Sequence, residues 1–127
     1  MPNVDRREFV KWGLAGAAMV TSPWMAKAAE TNVRKSTHTY KTVGDLEIKA
    51  DVYHSDDQVK RPVVVWIHGG ALILGHRESI DKRVKRMMLE RGYVLVSIDY
   101  RLAPETQLPA IIEDVEDAFR WVREQGP

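Results

Sequence analysis

The residues with most chemical potential act through their backbone. His68-Gly69-Gly70-Ala71 follows directly on the apolar run Val63-Val64-Val65-Trp66-Ile67. Two glycines at the end of a buried strand allow backbone conformations that a side chain forbids. Such a turn can aim consecutive N–H groups at one point, where they meet the negative charge developing on a carbonyl oxygen. The same pair also serves as a plain strand-to-loop turn. A second stretch, Asp99-Tyr100-Arg101-Leu102-Ala103-Pro104-Glu105, follows the next apolar run, Tyr93 to Ile98. Asp99, Arg101 and Glu105 have the types of an acid–base set. Loops that tie themselves to their neighbours use the same types, and that structural use is the expectation. His76 and Arg77 are expected at a pocket mouth or in solvent.

Several other chemistries are excluded. The chain has no cysteine, so it has no disulfide, thiolate zinc site or cysteine nucleophile. Its four histidines, His38, His54, His68 and His76, are scattered and form no H-E-x-x-H, so no metal is expected. Gly69, Gly70 and Gly75 do not fit the dinucleotide spacing G-x-G-x-x-G, and no cofactor is implied. Beyond the N-terminal segment the serines are Ser36, Ser55, Ser79 and Ser97, and none sits in a G-x-S-x-G elbow.

The elements around these motifs read as α/β. Leu46, Ile48, Ala50 and Val52 alternate with polar residues, the period of a half-buried strand. With the strand-like run from Ser36 they predict a hairpin around Val43-Gly44-Asp45. Val63–Ile67 and Tyr93–Ile98 are apolar on both faces, as in central strands of a covered parallel sheet. A helix is predicted from Glu78 to Arg91, with Ile80, Val84, Met87 and Met88 inward and Gly92 as its cap. A second helix starts at Pro109, with Ile111, Ile112, Val115, Ala118, Phe119 and Val122 inward, and ends at Gly126-Pro127. The order is an antiparallel edge hairpin leading into βαβα, with two central strands. In such a sheet, sites form beyond the carboxyl ends of the strands, where both motifs lie.

The pairing of His68-Gly69-Gly70-Ala71 with Asp99-Tyr100-Arg101-Leu102-Ala103-Pro104-Glu105 resembles the α/β-hydrolase fold. Within it, the likeness is to hormone-sensitive-lipase-like esterases and their feruloyl-esterase-like and acetyl-xylan-esterase-like relatives. Leu108-Pro109-Ala110, Glu113-Asp114 and Trp121 fit the same pattern. The lipase-like loop reads H-G-G-G, and Ala71 in the last place is similar to the feruloyl-esterase type. The resemblance implies an N-terminal half of the fold over residues 36–127, and an oxyanion hole built from the backbone N–H groups of Gly70 and Ala71. It implies that His68 and Gly69 support the loop and that His68 is not the catalytic base. Hydrolysis of a small-molecule or polysaccharide-linked carboxylic ester through a serine nucleophile is the implied function. The serine, acid and histidine are expected beyond residue 127, leaving this chain inactive by itself. Two other readings stand beside it: an exported non-catalytic remnant or binding fragment, and an amidase or peptidase on the same fold.

Residues 1–28 read as an export signal. Asp5-Arg6-Arg7-Glu8-Phe9-Val10-Lys11 resembles the twin-arginine pattern, a weakly apolar stretch follows, and Ala26-Lys27-Ala28 suits a signal peptidase. Export machinery and signal peptidase are therefore the expected partners, and the expected location is periplasmic or extracellular. The apolar stretch is too short for a stable span, which needs about 20 residues. Residues 29–35 are polar and read as a leader. The 127 residues, 14.5 kDa, carry a formal charge of +1. Outside the signal the balance is 15 basic to 16 acidic residues, which gives nucleic acid no electrostatic foothold. At this length one domain is the limit.

Overall fold

The computed structural model describes residues 32–126. The signal-like segment, including its cleavage site, lies outside the described residues. The chain opens with a long hairpin: β1 (Val33–Val43) pairs antiparallel with β2 (Leu46–Ser55). The turn residues are Gly44 and Asp45, and Gly44 has φ +58, a left-handed value that glycine adopts without strain. β1 takes up residues 33–35, the last part of the stretch read as a leader.

β2 buries more than its alternation predicts. Ile48, Ala50 and Val52 point into the core as expected, whereas Leu46, at the hairpin end, is exposed. On the opposite face, Asp51 and Tyr53 are buried as well. The cause is the cover that later elements lay on that face.

β3 (Val63–Ile67) and β4 (Val94–Ile98) pair in parallel, in register from Val63 opposite Val94 to Ile67 opposite Ile98. β2 joins β4 antiparallel, so the order is β1-β2-β4-β3. β4 has strands on both sides and is buried throughout. β4 is thus the strand that joins the hairpin to the parallel pair. β3 is the outer strand of the described sheet, with Ile67 exposed, because nothing described pairs with its second edge.

The predicted helix Glu78–Arg91 is divided. A 3₁₀ turn covers Arg77–Ser79, Ile80 and Asp81 are extended, and α1 runs Lys82–Glu90. Asp81 starts the helix as its N-cap, its carboxylate accepting the N–H groups of Arg83 (2.7 Å) and Val84 (3.3 Å). Ile80 is buried from outside the helix and Leu89 from within it, while Met87, expected inward, is exposed. Gly92, at φ +79, ends α1: its N–H reaches Leu89 O at 3.0 Å, and that of Tyr93 reaches Met88 O at 3.1 Å. This pair of bonds is a Schellman closure.

α2 (Leu108–Gln125) carries Pro109 in its first turn, where the missing N–H costs nothing. Ile111 and Ala118 are buried, while Ile112 and Phe119, predicted inward, lie exposed at the margin of the stripe.

The sheet separates two cores. Ala50, Val52, Val94, Val96 and Ile98 pack with Ala118, Val115, Trp121 and Val122 of α2. Across the sheet, Tyr53 and Leu95 pack with Ile80 and Leu89 beside α1. Each valine, leucine or isoleucine among them contributes about 1.5–3 kcal/mol when fully buried. This is a mixed α/β sheet of four strands with a helix on each face.

Candidate active site: the glycine loop after β3

β3 delivers its chain end into a loop running from His68 to His76. Gly70 (φ +122) and Gly75 (φ +106) take positive φ, and so do Ala71 (φ +54) and Leu72 (φ +66). Two consecutive non-glycine residues in the left-handed region carry a strain of about 1–2 kcal/mol each. Such strain persists only where the surroundings enforce it. The enforcing contacts are identifiable. The Gly70 carbonyl accepts the N–H groups of Ile73 and Leu74, each at 3.1 Å, and the Leu72 carbonyl accepts the N–H of Ala103 at 2.8 Å. A Cβ on Gly70 would overlap the Leu74 carbonyl, and one on Gly75 would overlap the Gly69 carbonyl and the His68 ring. The loop thus closes on itself with no room for side chains at those two places. Around Gly69 the space is open.

The N–H groups of Gly70 and Ala71 donate to no protein acceptor among the described residues. They are consecutive donors on a strained turn at the carboxyl end of a parallel strand. Loose amides of this kind are available to an anion or to a developing oxyanion.

His68 is buried, and its ring stacks on that of Tyr100 (centroids 4.3 Å apart, planes within 9°). The Tyr100 hydroxyl donates to the His68 carbonyl at 2.9 Å. Nδ1 of His68 lies 2.9 Å from the Gly69 carbonyl, a hydrogen bond in the tautomer that carries its proton there. His68 and Gly69 therefore sit at the root of the loop, braced by the residue that follows Asp99.

Asp99 and Arg101 are both committed to ion pairs. Asp99 takes the backbone N–H of Arg77 at 2.7 Å and its Nη1 at 2.6 Å, so the Arg77 guanidinium, 22% exposed, is held in an ion pair rather than free in solvent. Arg101 grips Asp114 of α2 through Nε (2.7 Å) and Nη2 (2.6 Å), and Lys41 Nζ lies 2.9 Å from the same carboxylate. Burial alone would raise the Asp114 pKa, but Arg101 and Lys41 outweigh it and hold the carboxyl below its ordinary range. Asp51 behaves alike: burial opposes, and Lys35, Thr37 and Arg77 pull its pKa down. Glu105 and His76 are exposed. Of the acid–base types of the second motif, Asp99 and Arg101 are thus used for fastening.

Neither Asp51 nor Asp114 was singled out as a buried charge from the sequence. For Asp114 a signal exists, since it lies three residues after Ile111 and four before Ala118, on the buried stripe. For Asp51 there is none, because alternation alone assigns it to solvent.

Among the described residues the serines are Ser36, Ser55, Ser79 and Ser97, and none falls within residues 68–76. Ser97 is buried in β4 and donates to the Arg77 carbonyl at 2.6 Å, Ser79 donates to the His76 carbonyl at 2.6 Å, and Ser55 is buried at the end of β2. Ser36 has an imidazole within reach, His38 Nε2 at 2.8 Å. Both lie on β1, three strand spacings, about 14 Å, from β3 across the sheet. A hollow of about 610 Å³ beside Lys60, Arg61 and the start of β4 lies at the opposite end of the sheet from the loop. Among the described residues no cluster of His, Asp or Glu could hold a metal ion, and no helix is long and apolar enough to cross a membrane.

Comparison with known proteins agrees with this geometry. The chain is 40% identical over 98 residues to the non-reducing polyketide synthase atr1 of Stereocaulon alpinum, covering 74% of this chain and 4% of that protein. It is 43% identical over 70 residues to esterase LipI of Mycobacterium tuberculosis, covering 55% of this chain and 22% of LipI. Among solved structures, an esterase of Pyrobaculum calidifontis superposes with a TM-score of 0.60 at 39% identity, over 74% of this chain and 30% of that one. A bacterial heroin esterase does so with a TM-score of 0.59 at 32% identity, over 71% of this chain and 28% of that one. The chain thus spans about a third or less of each of these relatives. Residues 50–126, which hold both motifs and the loop between them, match the BD-FAE family, and the chain belongs to that family of esterase-like α/β-hydrolases.

Proposed function

We propose that this chain supplies the oxyanion-hole portion of a carboxylic-ester hydrolase that works through an acyl-serine intermediate. A serine hydroxyl attacks the ester carbonyl carbon, its proton passes to a histidine, and the carbonyl oxygen becomes an oxyanion. The N–H groups of Gly70 and Ala71 donate to that oxygen, and a third donor follows the nucleophile. Collapse of the tetrahedral adduct expels the alcohol, and water then releases the acid. The serine, acid and histidine lie beyond residue 127, so the 127-residue chain turns over no ester. His68 braces the loop and moves no proton. Substrates are esters of small molecules or of polysaccharides. The protein is exported by the twin-arginine route.

The observation that carries this reading is the pair of unaccepted, consecutive N–H groups on the strained turn that ends β3. The esterase relatives support the choice of reaction. The test is a chimera in which residues 50–126 replace the equivalent segment of the Pyrobaculum calidifontis esterase. It should hydrolyse p-nitrophenyl butyrate, while the full chain alone should neither do so nor be labelled by a fluorophosphonate. A folded but inert chimera would end the oxyanion reading. Labelling of a serine in the chain alone would end the claim that the nucleophile lies elsewhere.

A further inference from the structure

We infer that Arg77 is a positioning residue: it locks the far end of the glycine loop and so sets the direction of the Gly70 and Ala71 N–H groups. This rests on the oxyanion reading above.

In its outer half the loop is tied to a neighbouring segment at one point, the Leu72 carbonyl on the Ala103 N–H at 2.8 Å. Leu72, Ile73 and Leu74 project exposed aliphatic side chains, 38%, 58% and 60% accessible, and so contribute little packing. Beyond that bond and the turn on the Gly70 carbonyl, its conformation is imposed from its ends. At the near end, Tyr100 stacks on His68 and bonds its carbonyl. At the far end, Arg77 is fastened four ways. Its N–H and Nη1 take both oxygens of Asp99, its Nε donates to Asp51 Oδ1 at 3.0 Å, and its carbonyl accepts the Ser97 hydroxyl. Asp99 and Tyr100 are adjacent, so both ends of the loop are tied to one spot, the exit of β4. The closure between them is the Gly75 turn, pressed on Gly69 and His68.

The anchor is itself stiff. Asp51 is wholly buried in β2 and receives the Thr37 hydroxyl at 2.7 Å, with Lys35 Nζ 2.9 Å away, both from β1. A planar guanidinium spans Asp51 and Asp99 at fixed angles, which an ammonium on a flexible stem cannot reproduce. Arg77 thus transmits the position of two strands to the loop. A loop released at that end keeps its sequence and its donors and loses their aim, and misplacement by about 1 Å costs on the order of a hundredfold in rate.

Two measurements test this. In the full 127-residue chain at low micromolar concentration, hydrogen exchange is followed in the peptide covering Ile73 and Leu74, whose amides sit on the Gly70 carbonyl, and in β4. Arg77→Met should accelerate exchange in the loop while β4 keeps its protection, and Arg77→Lys should fall between Arg77→Met and the parent. Unchanged loop exchange, or loop and β4 accelerating together in both variants, overturns the inference. In the esterase chimera, Arg77→Met should lower kcat on the order of ten- to a hundredfold with KM nearly unchanged, and Arg77→Lys should recover part of the loss. An unchanged kcat in an active chimera overturns the inference and leaves the oxyanion reading standing. An inert parent chimera overturns the oxyanion reading, and the exchange measurement still decides whether Arg77 sets the loop.

Discussion

Adding one methyl group to Gly70 should be far more damaging than adding one to its neighbour. At φ +122 Gly70 occupies a conformation that alanine reaches only at a cost of about 1–3 kcal/mol. Its new Cβ would also collide with the Leu74 backbone, which cannot rotate aside as a side-chain tip can. Relief requires the Gly70–Leu74 turn to open, which breaks the two bonds on the Gly70 carbonyl and swings the Ala71 N–H away. Losing one aimed donor costs on the order of 10²–10³ in kcat, about 2.7–4 kcal/mol. Gly69→Ala places its methyl in open space at an ordinary φ and should leave kcat nearly unchanged. Ala71→Gly keeps the N–H and relaxes a left-handed alanine, so it should be tolerated and raise stability by up to about 1 kcal/mol. Gly70→Val should be at least as harmful as Gly70→Ala. The assay is steady-state hydrolysis of p-nitrophenyl butyrate by the chimera, with thermal melts to show that each variant is folded. If Gly70→Ala and Gly69→Ala lower kcat equally, the loop is only a turn and the reasoning from its geometry is wrong.

Asp114→Ala should destabilise the folded domain by about 3 kcal/mol, because it takes from Arg101, 16% exposed, the carboxylate it grips, while Lys41 keeps Asp117 at 2.7 Å; a shift in urea midpoint reads this, and an unchanged midpoint contradicts it. Asp51 and Asp114 have folded pKa values held below their ordinary 3.8, so the stability they contribute is complete above that value and is lost as pH falls through the depressed values. Asp114→Asn should therefore flatten the acid limb of the urea midpoint below the ordinary carboxylate range, and an unaltered limb would refute the assignment. Arg6→Lys with Arg7→Lys should block translocation of a reporter fused after Ala29, and undiminished export of that variant would end the twin-arginine proposal.

Patterning along the chain was sufficient for the hairpin, the two apolar strands, the C-cap of α1 at Gly92 and the placing of both motifs at strand ends. Those features follow from local rules: alternation of side chains, glycine at positive φ, proline in a first helical turn. The glycine loop was legible for the same reason, since Gly-Gly after an apolar strand marks a backbone that must turn sharply. Other features depend on which residues become neighbours. The sheet order β1-β2-β4-β3 inserts β4 between β2 and β3, a placing that two apolar runs alike in sequence do not reveal. The break in the expected helix at Ile80 and Asp81 reflects the capping carboxylate of Asp81 and a buried site for Ile80 beside Leu95, which helical periodicity alone does not reveal. Arg77 reads as a surface cation beside Glu78 until Asp51 and Asp99, 26 and 22 residues away, converge on it. The burial of Asp51 has the same origin. A charge is placed inside only when distant partners neutralise it, and such partners are a property of the assembled sheet, not of any window of the chain.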